Sequence, residues 1–91
     1  MKYLVLSTLQ TGVALTETVK KAITTHYDHV KKLKSMGKLE VHYPLLGRRG
    51  GASIYDVESH EELQRLLVQN PLFNFNEYTI YPLLEYESVK K

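Results

Sequence analysis

Proton transfer near neutral pH falls most naturally to imidazoles, and two histidines of this chain stand where such chemistry can occur. His26 lies on a helical stripe whose other members are Val19, Ala22, Ile23, Val30 and Leu33. An imidazole on that stripe faces the interior. Burial disfavours its charged form and leaves a neutral ring suited to act as a base. The other use of such a residue is as a core histidine hydrogen-bonded to a tyrosine. His42 follows Glu40 by two residues on a strand, which points both side chains to one face. If that face lines a cavity, the two form an acid/base pair; if it meets solvent at a sheet edge, they are polar surface.

Arg48 and Arg49 stand in the glycine-flanked turn 47–51, G-R-R-G-G. Guanidinium groups bind carboxylates in two-pronged fashion, so the pair can anchor an anionic substrate, or simply keep an exposed turn soluble. The string is no phosphate loop, because it lacks the required spacing and a following helix start. Tyr3 and Tyr55 stand on strands, where an aromatic ring with a hydroxyl suits a pocket rim, a core or a subunit interface. His26 and His29 have the spacing of a two-histidine metal pair, but no H-E-x-x-H motif or cysteine accompanies them, and no metal site is expected.

The elements that must position these groups follow from hydrophobic period and punctuation. Residues 2–9 alternate as a strand with apolar residues on both faces. Thr16 is placed to cap a helix that ends at Met36-Gly37. Residues 38–46 read as a second strand, and Pro44 there points to a sheet edge or a bulge. The turn 47–51 and the strand 52–57 complete a hairpin. Ser59 and Glu62 make a capping box for a helix from Glu61 to about Gln69, stopped by Asn70-Pro71. A last strand spans 78–84. The order βαββαβ predicts an α+β ferredoxin-like sandwich, a four-stranded antiparallel sheet with two helices on one face. Residues 1–84 form a single domain and 85–91 a polar tail.

With 91 residues and no cysteine, disulfide scaffolding, thiolate catalysis and cysteine-bound zinc are excluded. The net charge of +2 does not call for a nucleic-acid partner. The aromatic and basic pattern that RNA-binding sheets carry on their third strand is also missing from 52–57. The first residues carry too short an apolar run for a signal peptide or membrane span, so a cytoplasmic protein without membrane attachment is expected.

From Met36 onward a family resemblance accumulates. Gly37, Gly47, Ser53-Ile54-Tyr55-Asp56-Val57, Ser59, Glu61 or Glu62, Leu63, Leu67, Pro71-Leu72-Phe73 and Leu83 fall at family-like spacing. In these positions the chain resembles the muconolactone isomerase-like proteins of the dimeric α+β barrel superfamily. A weaker resemblance, to the YciI-like family of the same superfamily, rests on His26, Gly37-Lys38-Leu39, Pro44-Leu45 and Ser59. That family usually carries an acidic residue before the proline that follows the second helix; here Asn70 precedes Pro71. The chain also departs from the muconolactone isomerase pattern. His26 stands where an acidic residue is usual, Pro44 where Arg is usual, and Arg48-Arg49-Gly50-Gly51 replaces a tyrosine-rich hairpin end.

The first resemblance implies a double-bond shift within an unsaturated lactone by proton movement, with no metal or organic cofactor. It also implies a pocket between sheet and helices near Phe73, closed partly by a neighbouring subunit. The expected protein is therefore an isomerase acting on a small anionic unsaturated lactone or related ring. His26, His42 and Glu40 supply the acid/base chemistry. Arg48, Arg49, Tyr3, Tyr55 and Phe73 bind substrate, tyrosine hydroxyls stabilising a dienolate. The expected assembly is a homodimer through the open sheet face, or a larger assembly of such chains. A non-catalytic binding or dimerisation module, a cofactor-independent oxygenase and a YciI-like enzyme are the alternatives.

Overall fold

The computed structural model describes residues 1–89. Strand β1 (Lys2–Leu9) is followed by helix α1 (Glu17–Ser35), the hairpin β2 (Leu39–Pro44) and β3 (Gly50–Asp56), helix α2 (His60–Val68), and β4 (Asn76–Leu83). The four strands form one antiparallel sheet in the order β2-β3-β1-β4. This is the expected βαββαβ sandwich. Pro44 sits on β2 and Pro82 on β4, the two edges, where a missing N–H leaves no central ladder bond unmade.

Local chemistry sets the helix ends. Thr16 Oγ1 accepts from the Val19 N–H at 3.3 Å and starts α1. At the other end the Lys38 N–H donates to the Leu33 carbonyl at 3.0 Å and the Gly37 N–H to the Lys34 carbonyl at 3.1 Å. That pair of bonds needs a left-handed residue between helix and strand, and Gly37 supplies it with φ 73°. Ser59 caps α2 by accepting from the Glu62 N–H at 3.1 Å. The Glu62 carboxylate reaches back to the Glu58 N–H at 2.9 Å, one residue earlier than in the usual capping box.

Both helices pack on the same side of the sheet. Tyr3, Val5, Leu39, Tyr55 and Val57 on that face meet Val30 and Leu33 of α1 and Leu63, Leu66 and Leu67 of α2. Leu4, Leu6, Val41, Ala52, Ile54, Tyr81 and Leu83 point to the other face, which neither helix covers. At the C-terminal end the chain leaves the sheet after Leu83 and forms one helical turn, α3 (Tyr86–Val89), within the stretch expected as a polar tail. Lys90 and Lys91 of that tail lie outside the described residues.

Strand β2 corrects one expectation. Strict alternation puts Leu39 and Val41 on one face and Glu40 and His42 on the other. In the structure Leu39 pairs with Tyr55 but Val41 pairs with Ile54, so Glu40 is an extra residue in a bulge. The bulge flips the pattern. Leu39 and His42 share the helix-covered face, and Val41 joins the open one.

Candidate active site

A cleft of about 240 Å³ opens between α1, the hairpin end of the sheet and the segment after α2. His26 reaches it from α1, because the helical stripe that buries Val19, Val30 and Leu33 carries position 26 over the sheet. His42 reaches it from β2, on the face shared with Ser53. Arg48 and Arg49 reach it from the turn. The turn itself is pinned by the Leu9 N–H, which donates to the Arg49 carbonyl at 2.9 Å, and by the Leu45 N–H, which donates to the Gly50 carbonyl at 2.9 Å.

The two imidazoles face each other. Their ring centroids are 5.5 Å apart and the planes are inclined at 68°. His42 Nδ1 is 2.6 Å from the Ser53 hydroxyl oxygen. Gly51 makes the room: a Cβ there would stand 2.6 Å from His42 Cε1. His26 Nδ1 is held by Asn70, a buried side chain at the end of α2. Burial holds the pKa of His26 below its ordinary value, opposed in part by the Asn70 amide oxygen 3.2 Å away and reinforced by nearby His29. Burial does the same for His42, reinforced by the positive forms of His26 and Lys34. Neither guanidinium of Arg48 and Arg49 is engaged in an ion pair among the described residues. The cleft thus joins two imidazoles kept neutral by burial to two free cations, an arrangement suited to moving a proton on an anionic ligand.

The remaining expected site residues lie elsewhere. Glu40 is carried by the bulge away from His42 and binds Lys2 Nζ at 2.8 Å. The expected Glu40–His42 pair is therefore not formed. Tyr3 is only 4% exposed, and its hydroxyl meets His60 Nδ1 at the start of α2, away from the cleft. Tyr55 is packed in the core, and burial pushes its hydroxyl up to about 12. Phe73 packs against the core and stacks on Tyr78 at a centroid distance of 6.0 Å. None of these three lines the cleft: Tyr3 and Tyr55 alternate onto the filled part of the sheet, and Phe73 packs there from the short 3-10 turn before β4.

Three further residues stand at or beside the histidine pair. His29 is half-buried on the same stripe as His26. It lies next to the Leu66 backbone, and its Nε2 is buried without a hydrogen-bond partner. Asn70 was a helix stop in the sequence, and Ser53 a strand residue. The Asn-Pro pair was the one available signal, since an asparagine before proline tends to fold its side chain onto nearby backbone. Among the described residues no group of three or more His, Asp or Glu side chains converges as a metal site would require.

A family model for muconolactone delta-isomerase matches residues 1–89. The chain belongs to the muconolactone delta-isomerase family. A muconolactone delta-isomerase of Cupriavidus pinatubonensis is 35% identical over 60 residues; the match spans 66% of this chain and 65% of the relative's length. A crystal structure of muconolactone isomerase matches with a TM-score of 0.86 over 97% of this chain and 93% of its own, at 22% identity. A 5-chloro-2-hydroxyhydroquinone dehydrochlorinase from Burkholderia phenoliruptrix, solved with 2,5-dihydroxybenzoquinone, matches with a TM-score of 0.74 over 97% and 98%, at 17% identity. At those identities the two structures speak for the muconolactone isomerase fold alone. Among the described residues no helix is long and apolar enough to cross a membrane.

Proposed function

We propose that this chain is an isomerase that shifts a double bond in a small, anionic, unsaturated lactone or related ring by moving a proton. The observation that carries this reading is the facing pair His26 and His42 in a cleft edged by two arginines that form no ion pair among the described residues. A neutral imidazole takes a proton from a ring carbon beside the carbonyl. The C–H electron pair spreads into the conjugated carbonyl, and the proton returns at the far end of the conjugated system. Arg48 or Arg49 binds the substrate carboxylate, and the chemistry calls for no redox partner. A second copy of the chain, lying on the apolar open face of the sheet, completes the assembly in this reading.

The test is turnover of a lactone panel by the wild-type chain and by His26→Ala and His42→Ala. The wild type is expected to move the double bond of at least one carboxylated lactone, and each variant to lose about 100-fold or more. Inactivity of the wild type on the whole panel would leave a binding module, and oxygen uptake in an electrode assay would point to an oxygenase. Either outcome ends the isomerase reading.

A further inference from the structure

We infer that Asn70 is a positioning residue that holds His26 as a neutral hydrogen-bond donor, leaving His42 as the base of the pair; the catalytic part of this inference rests on the isomerase reading above. Pro71, just beyond the end of α2, has no N–H. The first free amide beyond it, the Leu72 N–H, donates to Asn70 Oδ1 at 2.9 Å. A backbone N–H can only donate, so that side-chain atom is the amide oxygen, and the amide orientation is decided. The NH2 end then faces His26. Nδ2 is 2.9 Å from His26 Nδ1, while the oxygen is 3.2 Å away. The amide hydrogen can only be given, so Nδ1 offers its lone pair and the ring proton sits on Nε2.

Charging His26 would put a second proton on Nδ1. That proton would confront the Asn70 NH2 group in a place where Asn70 is only 6% exposed. His42 has a different partner. Its Nδ1 lies against the Ser53 hydroxyl, which both donates and accepts. The Ser53 bond therefore survives whether His42 is neutral or protonated. One imidazole has a partner that resists charging and the other has a partner that tolerates it. The charged and titratable groups around the pair are Tyr27, His29 and Lys34 on α1, with Arg48 and Arg49 from the turn; among the described residues no carboxylate lines the cleft.

In the proposed reaction His42 Nε2 removes the proton from the ring carbon, breaking C–H and forming N–H. The electron pair passes into the dienolate. His26 Nε2–H donates a hydrogen bond to the dienolate oxygen and keeps its proton throughout. His42 then returns the proton to the far carbon and is neutral again. The balance needs no further reactant, and His26 takes the place in which tyrosine hydroxyls were expected.

Asn70→Asp tests this with almost no change of shape. The aspartate still accepts from the Leu72 N–H but presents an acceptor to His26, which draws the ring proton to Nδ1. Imidazole nitrogen NMR of the wild type is expected to show the His26 proton on Nε2. The variant is expected to show it on Nδ1, with a raised His26 pKa. A wild-type His26 protonated on Nδ1, or an unchanged tautomer in Asn70→Asp, overturns the positioning role. On a lactone that the wild type turns over, Asn70→Asp is expected to lower kcat about 100-fold with KM little changed. An unchanged kcat overturns the division of labour between the imidazoles. The expected tautomers without any lactone turnover would uphold the positioning role and sink the isomerase reading instead.

Discussion

At the scale of single residues the histidines carry most of the physics of this protein. His26, His29 and His42 are all held below their ordinary value of 6.5, burial being the largest cause in each case. The sign of the consequence follows from linkage. Between the depressed folded values and the ordinary unfolded value, the unfolded chain binds more protons, so stability rises with pH. The stability is complete above about pH 6.5, begins to fall as pH drops through that value, and continues to fall until the folded-state values are passed. Urea unfolding at pH 7.5 and at pH 5.5 is expected to show a lower midpoint at the acid pH. An equal or higher midpoint would mean that the three rings are better solvated than their packing indicates. His26 was legible in the sequence because it interrupts an apolar stripe. Asn70 was not, because a helix stop and a ring-positioning amide are written with the same residue.

At the scale of elements, β3 is where sheet and site meet. Gly50 and Gly51 begin the strand, and they tolerate substitution differently for separate reasons. A Cβ at Gly50 would stand 2.0 Å from the Ser7 carbonyl oxygen, which is backbone and cannot turn aside. A Cβ at Gly51 would meet the His42 ring, which can. Gly50→Ala is therefore expected to destabilise by about 3 kcal/mol, at the upper end of the overpacking range. Gly51→Ala is expected to cost nearer 1 kcal/mol in stability while displacing His42 from the cleft. Chemical denaturation gives the first comparison, and the His42 imidazole resonances give the second. A Gly51→Ala chain with unmoved His42 signals would remove the glycine from the construction of the site. The helices, the hairpin and the βαββαβ succession of elements were legible from period, caps and turn residues. The Glu40 bulge was not, since an extra residue leaves an alternating pattern looking intact until the partner strand reveals the register.

At the scale of the whole molecule, one sheet face is covered by helices and the other is not. Leu4, Leu6, Ile54 and Tyr81 lie on the uncovered face, with Tyr81 51% exposed. If a second copy covers it, as proposed, Ile54→Glu would place a charge inside the contact and shift the chain toward monomer, as read by sedimentation velocity. A wild type that sediments as a monomer at high concentration would count against that assembly. The sequence by itself determined the βαββαβ order, the helix ends and the family, because these depend on short-range period, capping chemistry and motif spacing. It also placed His26, His42, Arg48 and Arg49 among the residues that could act. Tertiary structure alone decided which of the candidates meet. Tyr3, Tyr55 and Phe73 went to the packed sandwich, Glu40 to Lys2, and Asn70, 44 positions away in the chain, to His26. The physical reason is that a cleft is a property of surfaces brought together over long sequence distances. A bulge of one residue or a single amide dipole then sets which side chains share it.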